Sequence, residues 1–344
     1  MSQRAGGARA VAAFMVAASA LSSCTRIETV SGDSPSTSTS SSGAASPSVE
    51  ATPVVATASP KASPTPTATK AARPRRVPPV VAAAGDIACG PGANPGRGCR
   101  HKVVSDAILA DTAIDTVLTL GDQQYPDGGL RQYRSSYDKT WGRFKEKTRP
   151  VPGNHDYETK GAAGYFDYFG KAAGERGKGY YSFDIGAWHF VALNSEISTR
   201  KSGAQVAWLK ADLRANRNKC VAAYWHKPRW SSGVLHGDNR RVAPFIDALY
   251  QANADLVLAG HEHNYERSYP LDRDGARDDK RGIVQIVSGL GGMSRYKLRG
   301  GERAATKNST SFGYTRLVLH PRYADITFVS VVGGYRDSFR LRCH

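Results

Sequence analysis

Five short apolar segments of this 344-residue chain each end in an acidic residue, an asparagine or a histidine. Segments that are apolar on both faces are typical of strands buried between layers. Helix-like stretches separate several of them, which predicts partly parallel pairing and an α/β fold. The five segments are VPPVVAAAGD, IDTVLTLGD, TRPVPGNHD, NKCVAAYWH and ADLVLAGHEH.

Seven further segments complete the predicted core, which we expect to be two sheets with helices outside. Four carry apolar residues at three- and four-residue spacing and predict helices: HKVVSDAILAD, GGLRQYRSSYDKTWGRFKE, AQVAWLKADLRAN and RRVAPFIDALYQAN. Three predict strands joined more as hairpins than as crossovers: YYSFDIGAWHFVALNS, GIVQIVSGLGG and YTRLVLHPRYADITFVSV.

The polar residues at the strand ends are expected to meet, because ligands of open α/β sheets gather at the carboxyl ends of strands. Their oxygen and nitrogen atoms suit iron, manganese or zinc. His261 and His263 are two residues apart, so in a regular strand both imidazoles would face one site. The sequence therefore predicts a metal centre, with candidate ligands Asp86, Asp122, Asn154, His226, His261 and His263.

The first 77 residues have a different composition. Residues 1–23 join a basic start to an apolar core too short to span a bilayer comfortably, which predicts a signal peptide. The core ends in LSSC, which resembles the lipobox of bacterial lipoproteins, so Cys24 is a candidate for lipidation. An ordinary secretory signal is the alternative. We expect export, either to the outer face of the cell membrane through the lipid or to the extracellular space or cell wall.

Residues 24–77 are rich in Ser, Thr, Ala and Pro and predict a disordered tether, since they cannot bury enough surface to offset chain entropy. Residues 78–344 are long enough for one α/β catalytic domain with a sizeable core. Their four cysteines are an even number, as expected for disulfides in an exported protein. We pair Cys89 with Cys99 and Cys220 with Cys343, although the sequence leaves the other two pairings open.

The chain is strongly basic, with a formal net charge of +17. Since 8 of its 47 Lys/Arg and 3 of its 30 Asp/Glu precede residue 81, the domain carries +12. Such a surface attracts anions. The basic residues are scattered and form no nucleic-acid-binding motif, so we expect no specific nucleic-acid partner.

Five motifs follow one another in the chain: GD at 85–86, GDQQY at 121–125, GNHD at 153–156, His226 and GHEHNYER at 260–267. In this order they resemble the motifs of the calcineurin-like metallophosphoesterases. The GDxxY form of the second motif and the HNYER extension of the fifth resemble the purple acid phosphatases within that superfamily. The resemblance runs from about residue 80 to about residue 292. It implies a two-sheet β-sandwich of mixed sheets flanked by helices.

The resemblance implies a site of two metal ions that share one aspartate. The first ion would be held by Asp86, Asp122, Tyr125 and His263. The second would be held by Asp122, Asn154, His226 and His261. A neutral phenol has a pKa of about 10 and is a poor ligand unless a strongly charged ion ionises it. Tyr125 therefore favours Fe(III) at the first position, with Fe(II), Zn(II) or Mn(II) at the second.

These residues imply a metal-dependent phosphoric ester hydrolase of the acid phosphatase type, acting on a small phosphate ester. A metal-bound hydroxide would attack a phosphomonoester in line. His155 is the candidate for protonating the leaving group, and His236 is the second candidate. Two alternatives remain: a phosphodiesterase or lipid-headgroup hydrolase on the same metals, and a non-catalytic wall protein of the same fold.

The lipidation hypothesis predicts that Cys24→Ala moves the protein from the membrane fraction to the soluble fraction, because the thiol that would carry the lipid is lost. Fractionation of cells expressing either form, followed by immunoblotting, measures this. Ser22→Ala is the matched control and should stay with the membrane. Full membrane retention of Cys24→Ala would contradict lipid anchoring.

Overall fold

The computed structural model describes residues 77–93 and 98–344. The predicted signal peptide, Cys24 and nearly all of the predicted tether lie outside these described residues. Across the two described ranges, no helix has the length and apolar character needed to cross a bilayer.

The described strands form two mixed sheets. In chain order they are β1 Val80–Ala84, β2 Ile114–Leu120, β3 Thr148–Val151, β4 Tyr181–Ile185, β5 Trp188–Ala192, β6 Cys220–Tyr224, β7 Leu256–Ala259, β8 Tyr265–Leu271, β9 Ile283–Ser288, β10 Ala304–Asn308, β11 Phe312–His320, β12 Tyr323–Val332 and β13 Asp337–Arg342. The first sheet has the order β13-β12-β11-β1-β2-β3, and the second has the order β10-β8-β9-β7-β6-β5-β4. Parallel pairing joins β1 to β2 to β3, and β5 to β6 to β7, so each sheet gathers carboxyl ends at one edge.

Helices cover the outer faces of both sheets. The α-helices are α1 His101–Ala110, α2 Leu130–Gln132, α3 Asn154–Glu158, α4 Ala163–Phe169, α5 Ala204–Ala215 and α6 Ala243–Gln251. A π-helical turn covers Tyr133–Tyr137, and 3₁₀ turns cover Trp141–Lys147, Lys160–Ala162, Gly170–Ala173 and Arg240–Val242.

The core has three layers of apolar side chains, and β1 shows why. Val81 and Ala83 face the core between the two sheets. Ala82 and Ala84 point the other way, toward α1 and the aromatic residues that follow β2. A third layer joins the outer face of the second sheet to α5 and α6. The expected fold, two mixed sheets flanked by helices, is thereby confirmed.

The helix predicted over residues 128–146 is broken, and its hydrogen bonds show the cause. The Tyr137 N–H donates to Gln124 Oε1 at 3.0 Å, so a buried side chain takes the place of a helix carbonyl. The Asp138 N–H then reaches back five residues to the Tyr133 carbonyl at 2.8 Å. This insertion produces the π-helical turn. It keeps both tyrosines buried, which the uniform spacing of the sequence did not anticipate.

Both predicted disulfides are present, Cys89–Cys99 and Cys220–Cys343. The second joins the first residue of β6, in the second sheet, to the residue that follows β13, in the first sheet. It therefore links the two sheets covalently.

A histidine between two aspartates joins the β4–β5 hairpin to α5. His189 Nδ1 lies 2.7 Å from Asp184 Oδ1, and its Nε2 lies 2.8 Å from Asp212 Oδ2. Burial alone would lower the pKa of His189, but the hydrogen bonds to both carboxylates outweigh burial and raise the pKa above its ordinary value.

Because the folded-state pKa of His189 is raised, its stabilising contribution is complete below the unfolded-state pKa of about 6.5 and is lost as pH rises through the folded-state value. His189→Gln should therefore reduce the free energy of unfolding by about 1 kcal/mol at pH 5.5, where solvent at Asp184 limits the effect, and by less at pH 9. Urea denaturation of both forms at both pH values measures this. An equal loss at the two pH values would contradict a charged His189.

Candidate metal centre

The structure brings all seven candidate ligands together at the carboxyl ends of five strands. Asp86 follows β1, Asp122 and Tyr125 follow β2, and Asn154 begins α3 directly after β3. His226 follows β6, and the last two candidates, His261 and His263, follow β7. The first three strands belong to one sheet and the last two to the other, so the site lies where the two sheets meet.

One group of side chains surrounds the buried hydroxyl of Tyr125. Tyr125 Oη lies 3.0 Å from Asp122 Oδ2, 3.2 Å from Asp86 Oδ1 and 3.0 Å from His263 Nε2. His263 Nδ1 lies 2.6 Å from Ser294 Oγ. If Nδ1 donates to that hydroxyl, Nε2 turns a lone pair toward Tyr125. One phenolic hydrogen then faces three acceptors and can satisfy only one of them.

A second group surrounds His226 Nε2. His226 Nδ1 lies 2.9 Å from the Leu120 carbonyl oxygen, which can only accept, so Nδ1 carries the hydrogen. Nε2 lies 3.1 Å from Asn154 Oδ1, 3.2 Å from His261 Nδ1 and 3.3 Å from Asp122 Oδ2. Electron-pair donors thus converge here as well. The ligand atoms of Asp122, His226 and His261 all lie within 4.8 Å of one another.

The donor atoms of both groups are suited to binding cations. Oxygen and imidazole nitrogen are borderline donors that suit first-row transition metals. Asp122 Oδ2 belongs to both groups, whereas its Oδ1 accepts the His155 backbone N–H at 2.8 Å. Asp122 is therefore fixed on one side and offers its other oxygen to the site. Most of the seven candidate ligands are buried, and only Asn154 and His261 among them are partly exposed.

The electrostatics of the protein side chains alone favour protons at these positions. Burial and the carboxylates of Asp122 and Asp86 raise the pKa of Tyr125 well above its ordinary value, so ionisation of this phenol requires a positive charge beside it. Burial opposes the charged form of His226, but Asp122 outweighs burial and raises its pKa to about 10. A cation at this position would displace that proton, which makes cation binding pH-dependent.

Three of the candidate ligands have left-handed backbone conformations. Asp86, Asp122 and His261 have φ angles of 58°, 49° and 71°. Non-glycine residues rarely adopt this region, and such residues concentrate at functional sites. The backbone of this segment also corrects one expectation: His261 and His263 do not lie in a regular strand, because β7 ends at Ala259. A tight bend, not strand alternation, directs both imidazoles toward the site.

Glycines precede several ligands because the strand ends approach too closely for a Cβ atom. A Cβ on Gly121 would lie 2.4 Å from His226 Nδ1. A Cβ on Gly153 would lie 2.2 Å from Asp122 Oδ1. The repeated pattern of glycine followed by a ligand therefore reflects the crowding of the two sheets at this edge.

His155 lies beside the first group. Its ring centroid is 4.3 Å from that of Tyr125, and its Nδ1 contacts the Pro126 carbonyl oxygen. Nδ1 must therefore carry a hydrogen, which leaves Nε2 as the atom able to exchange a proton with a substrate. The neighbouring Asp156 does not orient this ring. Asp156 caps α3 by accepting the Gly153 N–H at 2.8 Å and also accepts the Tyr133 hydroxyl.

His236 reaches the second group from a loop. Its ring stacks on His261 with centroids 4.1 Å apart. Glu262, between the two histidine ligands, points away from the metal centre and accepts the backbone N–H groups of His236 and Gly237 at 2.9 and 2.6 Å. Burial lowers the pKa of His236, and Glu262 partly opposes that effect. Glu262 thus positions this loop.

The residues that hold the His263 ring in place were not identified from the sequence. Ser294 contacts its Nδ1, and the Tyr296 ring stacks on it with centroids 3.9 Å apart. Both residues follow a glycine-rich segment that contacts the site through its backbone: a Cβ on Gly289 would lie 2.6 Å from Asp86 Oδ2. That run of glycines was the signal for this contact in the sequence.

Comparison with known proteins agrees with this geometry. Residues 80–265 match the model of the calcineurin-like phosphoesterase family. The chain is 34% identical over 192 residues to purple acid phosphatase 23 of Arabidopsis thaliana, covering 49% of this chain and 40% of that protein. It is 33% identical over 225 residues to purple acid phosphatase 15 of the same plant, covering 54% and 41%. The chain thus spans about two fifths of the length of these relatives.

A solved structure has a similar fold. The structure of purple acid phosphatase PPD1 from yellow lupin (Lupinus luteus) superimposes with a TM-score of 0.64 at 18% identity, covering 77% of this chain and 53% of that one. At this level of identity the likeness concerns the fold.

The contact between Gly153 and Asp122 predicts that Gly153→Ala displaces the shared carboxylate and lowers metal affinity about 10-fold or more, as losses around metal ligands typically do. Elemental analysis of the purified protein after dialysis measures this. Gly300→Ala is the matched control, since a Cβ there meets nothing within 4 Å. Equal metal content in the two variants would contradict the proposed position of Asp122.

Proposed function

Because the chain belongs to the calcineurin-like phosphoesterase family, we propose that it is an exported, metal-dependent phosphatase that hydrolyses phosphomonoesters at a dinuclear centre. The convergence of seven electron-pair donors from five strand ends carries this proposal. The similarity to purple acid phosphatases supports the choice of substrate class.

Two sets of ligands are proposed, and they share one residue. Asp86, Tyr125 and His263 would hold the first ion, Asn154, His226 and His261 would hold the second, and Asp122 would contact both. Bound there, two cations would neutralise charge on the phosphoryl group and lower the pKa of a water molecule poised for in-line attack.

The histidines beside this centre have separate roles in the proposal. His155 would protonate the leaving oxygen through Nε2, because its Nδ1 hydrogen is engaged by Pro126. His236, stacked on His261, would contact the phosphoryl oxygens. His155 is partly exposed and His236 is exposed, in keeping with access for a substrate on that side.

The ligand chemistry supports Fe(III) at the Tyr125 position and Fe(II), Zn(II) or Mn(II) at the other. Burial and two carboxylates hold the Tyr125 pKa high, so only a strongly charged ion would ionise the phenol. Imidazole and amide ligands at the other position suit a divalent ion.

Export is supported by the two disulfides, which persist in oxidising compartments. We propose that the lipidated Cys24 and the tether hold the domain at the outer face of the cell membrane. If the lipid is absent, the domain would be extracellular or bound in the wall.

A comparison of phosphomonoester and phosphodiester hydrolysis tests the function. The metal-loaded full chain should release p-nitrophenol from p-nitrophenyl phosphate at least about 10-fold faster than from the bis-ester. Asp122→Asn should abolish both activities with an unchanged circular dichroism spectrum, since a neutral amide bridges two cations poorly. A faster diester reaction would favour the phosphodiesterase alternative, and no hydrolysis by the metal-loaded chain would favour the non-catalytic one.

Tyr125→Phe provides a spectroscopic test of the iron assignment. A phenolate bound to Fe(III) should give a visible charge-transfer band, and loss of the Tyr125 oxygen should abolish it. Tyr133→Phe is the matched control, because its buried hydroxyl contacts Asp156 outside the donor set. A colourless, iron-free and fully active wild-type protein would contradict the assignment.

A further inference from the structure

A cavity of about 730 Å³ lies among arginines that the proposed chemistry does not use. No acidic residue lines it. The lining residues are Ser198, Thr199, Arg200, Arg240, Arg241, Ala243 and Pro244.

Some arginines among the domain's described residues form ion pairs with carboxylates, and the three that line the cavity do not. Eight arginines pair with carboxylates within 4 Å, namely Arg143, Arg176, Arg267, Arg273, Arg277, Arg303, Arg316 and Arg340. Among the residues that the structure describes, no ion pair involves Arg200, Arg240 or Arg241. All three are exposed and free to meet an anion.

The backbone around the cavity is well fixed. Thr199 is buried, and its hydroxyl donates to the Arg241 carbonyl at 2.6 Å, which ties the two loops together. The Arg241 N–H donates to Asn239 Oδ1 at 3.0 Å and closes the turn that precedes α6. The arginine side chains therefore project from an ordered frame.

The cavity lies on the same edge of the second sheet as the metal centre. Ser198, Thr199 and Arg200 follow β5, and the two other arginines follow β6, which pairs with β5 in parallel. The loop after β6 also carries His226. An ion pair between Lys227 and Glu196 joins the same two loops, next to His226.

We propose that this cavity binds a second phosphate group of the substrate, so that the enzyme prefers small molecules carrying two or more phosphates. Guanidinium groups match phosphate oxygens in a two-pronged geometry and remain charged at all relevant pH values. Three of them without a carboxylate partner suit a dianion. The proposal rests on the function proposed above: one phosphate would lie at the metal centre and another among the arginines.

The reaction in this proposal is ordinary hydrolysis. The oxygen of water bonds to the terminal phosphorus, the bond from that phosphorus to the rest of the molecule breaks, and the leaving oxygen takes a proton. No other reactant is needed, and the arginines bind without reacting.

Calorimetric titration with inorganic tripolyphosphate tests the binding step. The full chain is used with Asp122→Asn so that the probe is not consumed. Adding Arg240→Ala and Arg241→Ala should weaken binding about 10-fold or more, since a hydrogen bond to a charged group is worth about 1.5–3 kcal/mol. Adding Arg214→Ala and Arg217→Ala instead removes the same charge from exposed positions at the end of α5 and just after it, and should change little. Equal weakening by both pairs would overturn the proposal in favour of general charge attraction.

Kinetics on the otherwise wild-type chain test the link to catalysis. In Arg240→Ala/Arg241→Ala, KM for tripolyphosphate should rise about 10-fold relative to KM for p-nitrophenyl phosphate. An unchanged ratio, even with weaker binding, would overturn the role of the cavity as a substrate site. If the metal-loaded chain hydrolyses neither compound, the proposed function fails, while the calorimetric comparison still decides whether the arginines bind phosphate.

Discussion

The carboxylate of Asp122 is the contact on which the arrangement of the site depends. One oxygen is held by the backbone N–H of His155, in the helix that follows β3 of the first sheet, and the other faces Tyr125 and His226. To reach both sheets, Asp122 adopts a left-handed backbone at φ 49°. The space around it is so limited that Gly153 cannot carry a side chain without meeting it. The close packing of the strand ends therefore also fixes the positions of the donor atoms around Asp122.

Much of this site was predictable because strands that are apolar on both faces must be buried, and the first polar residue after each must then lie at the sheet edge. This reasoning placed Asp86, Asn154 and His226 correctly at strand ends. It did not anticipate that His261 would lie in a left-handed bend, because that conformation depends on contacts such as the 2.8 Å hydrogen bond from its N–H to Asp86.

Other features depended on tertiary contacts that no local pattern records. Gln124 interrupts the helix predicted over residues 128–146 by accepting the Tyr137 N–H. Asp156 follows His155 in sequence, but one oxygen of its carboxylate accepts the Gly153 N–H at the start of α3 and the other accepts the Tyr133 hydroxyl. The arginine cavity was equally hidden, since Arg200 is far in sequence from Arg240 and Arg241. The parallel pairing of β5 with β6 and the hydrogen bond from Thr199 to the Arg241 carbonyl bring them together.

The Cys220–Cys343 disulfide joins the two sheets at the amino end of β6, whereas His226 follows the carboxyl end of the same strand. The sandwich is thus closed covalently at the end remote from the ligands. Loss of the proposed cations would leave the ligand side chains without a metal, while this disulfide would keep the two sheets joined. The proposed export would place the domain where metal supply varies, and the covalent link between its sheets would then help it to keep its fold when the proposed cations are lost.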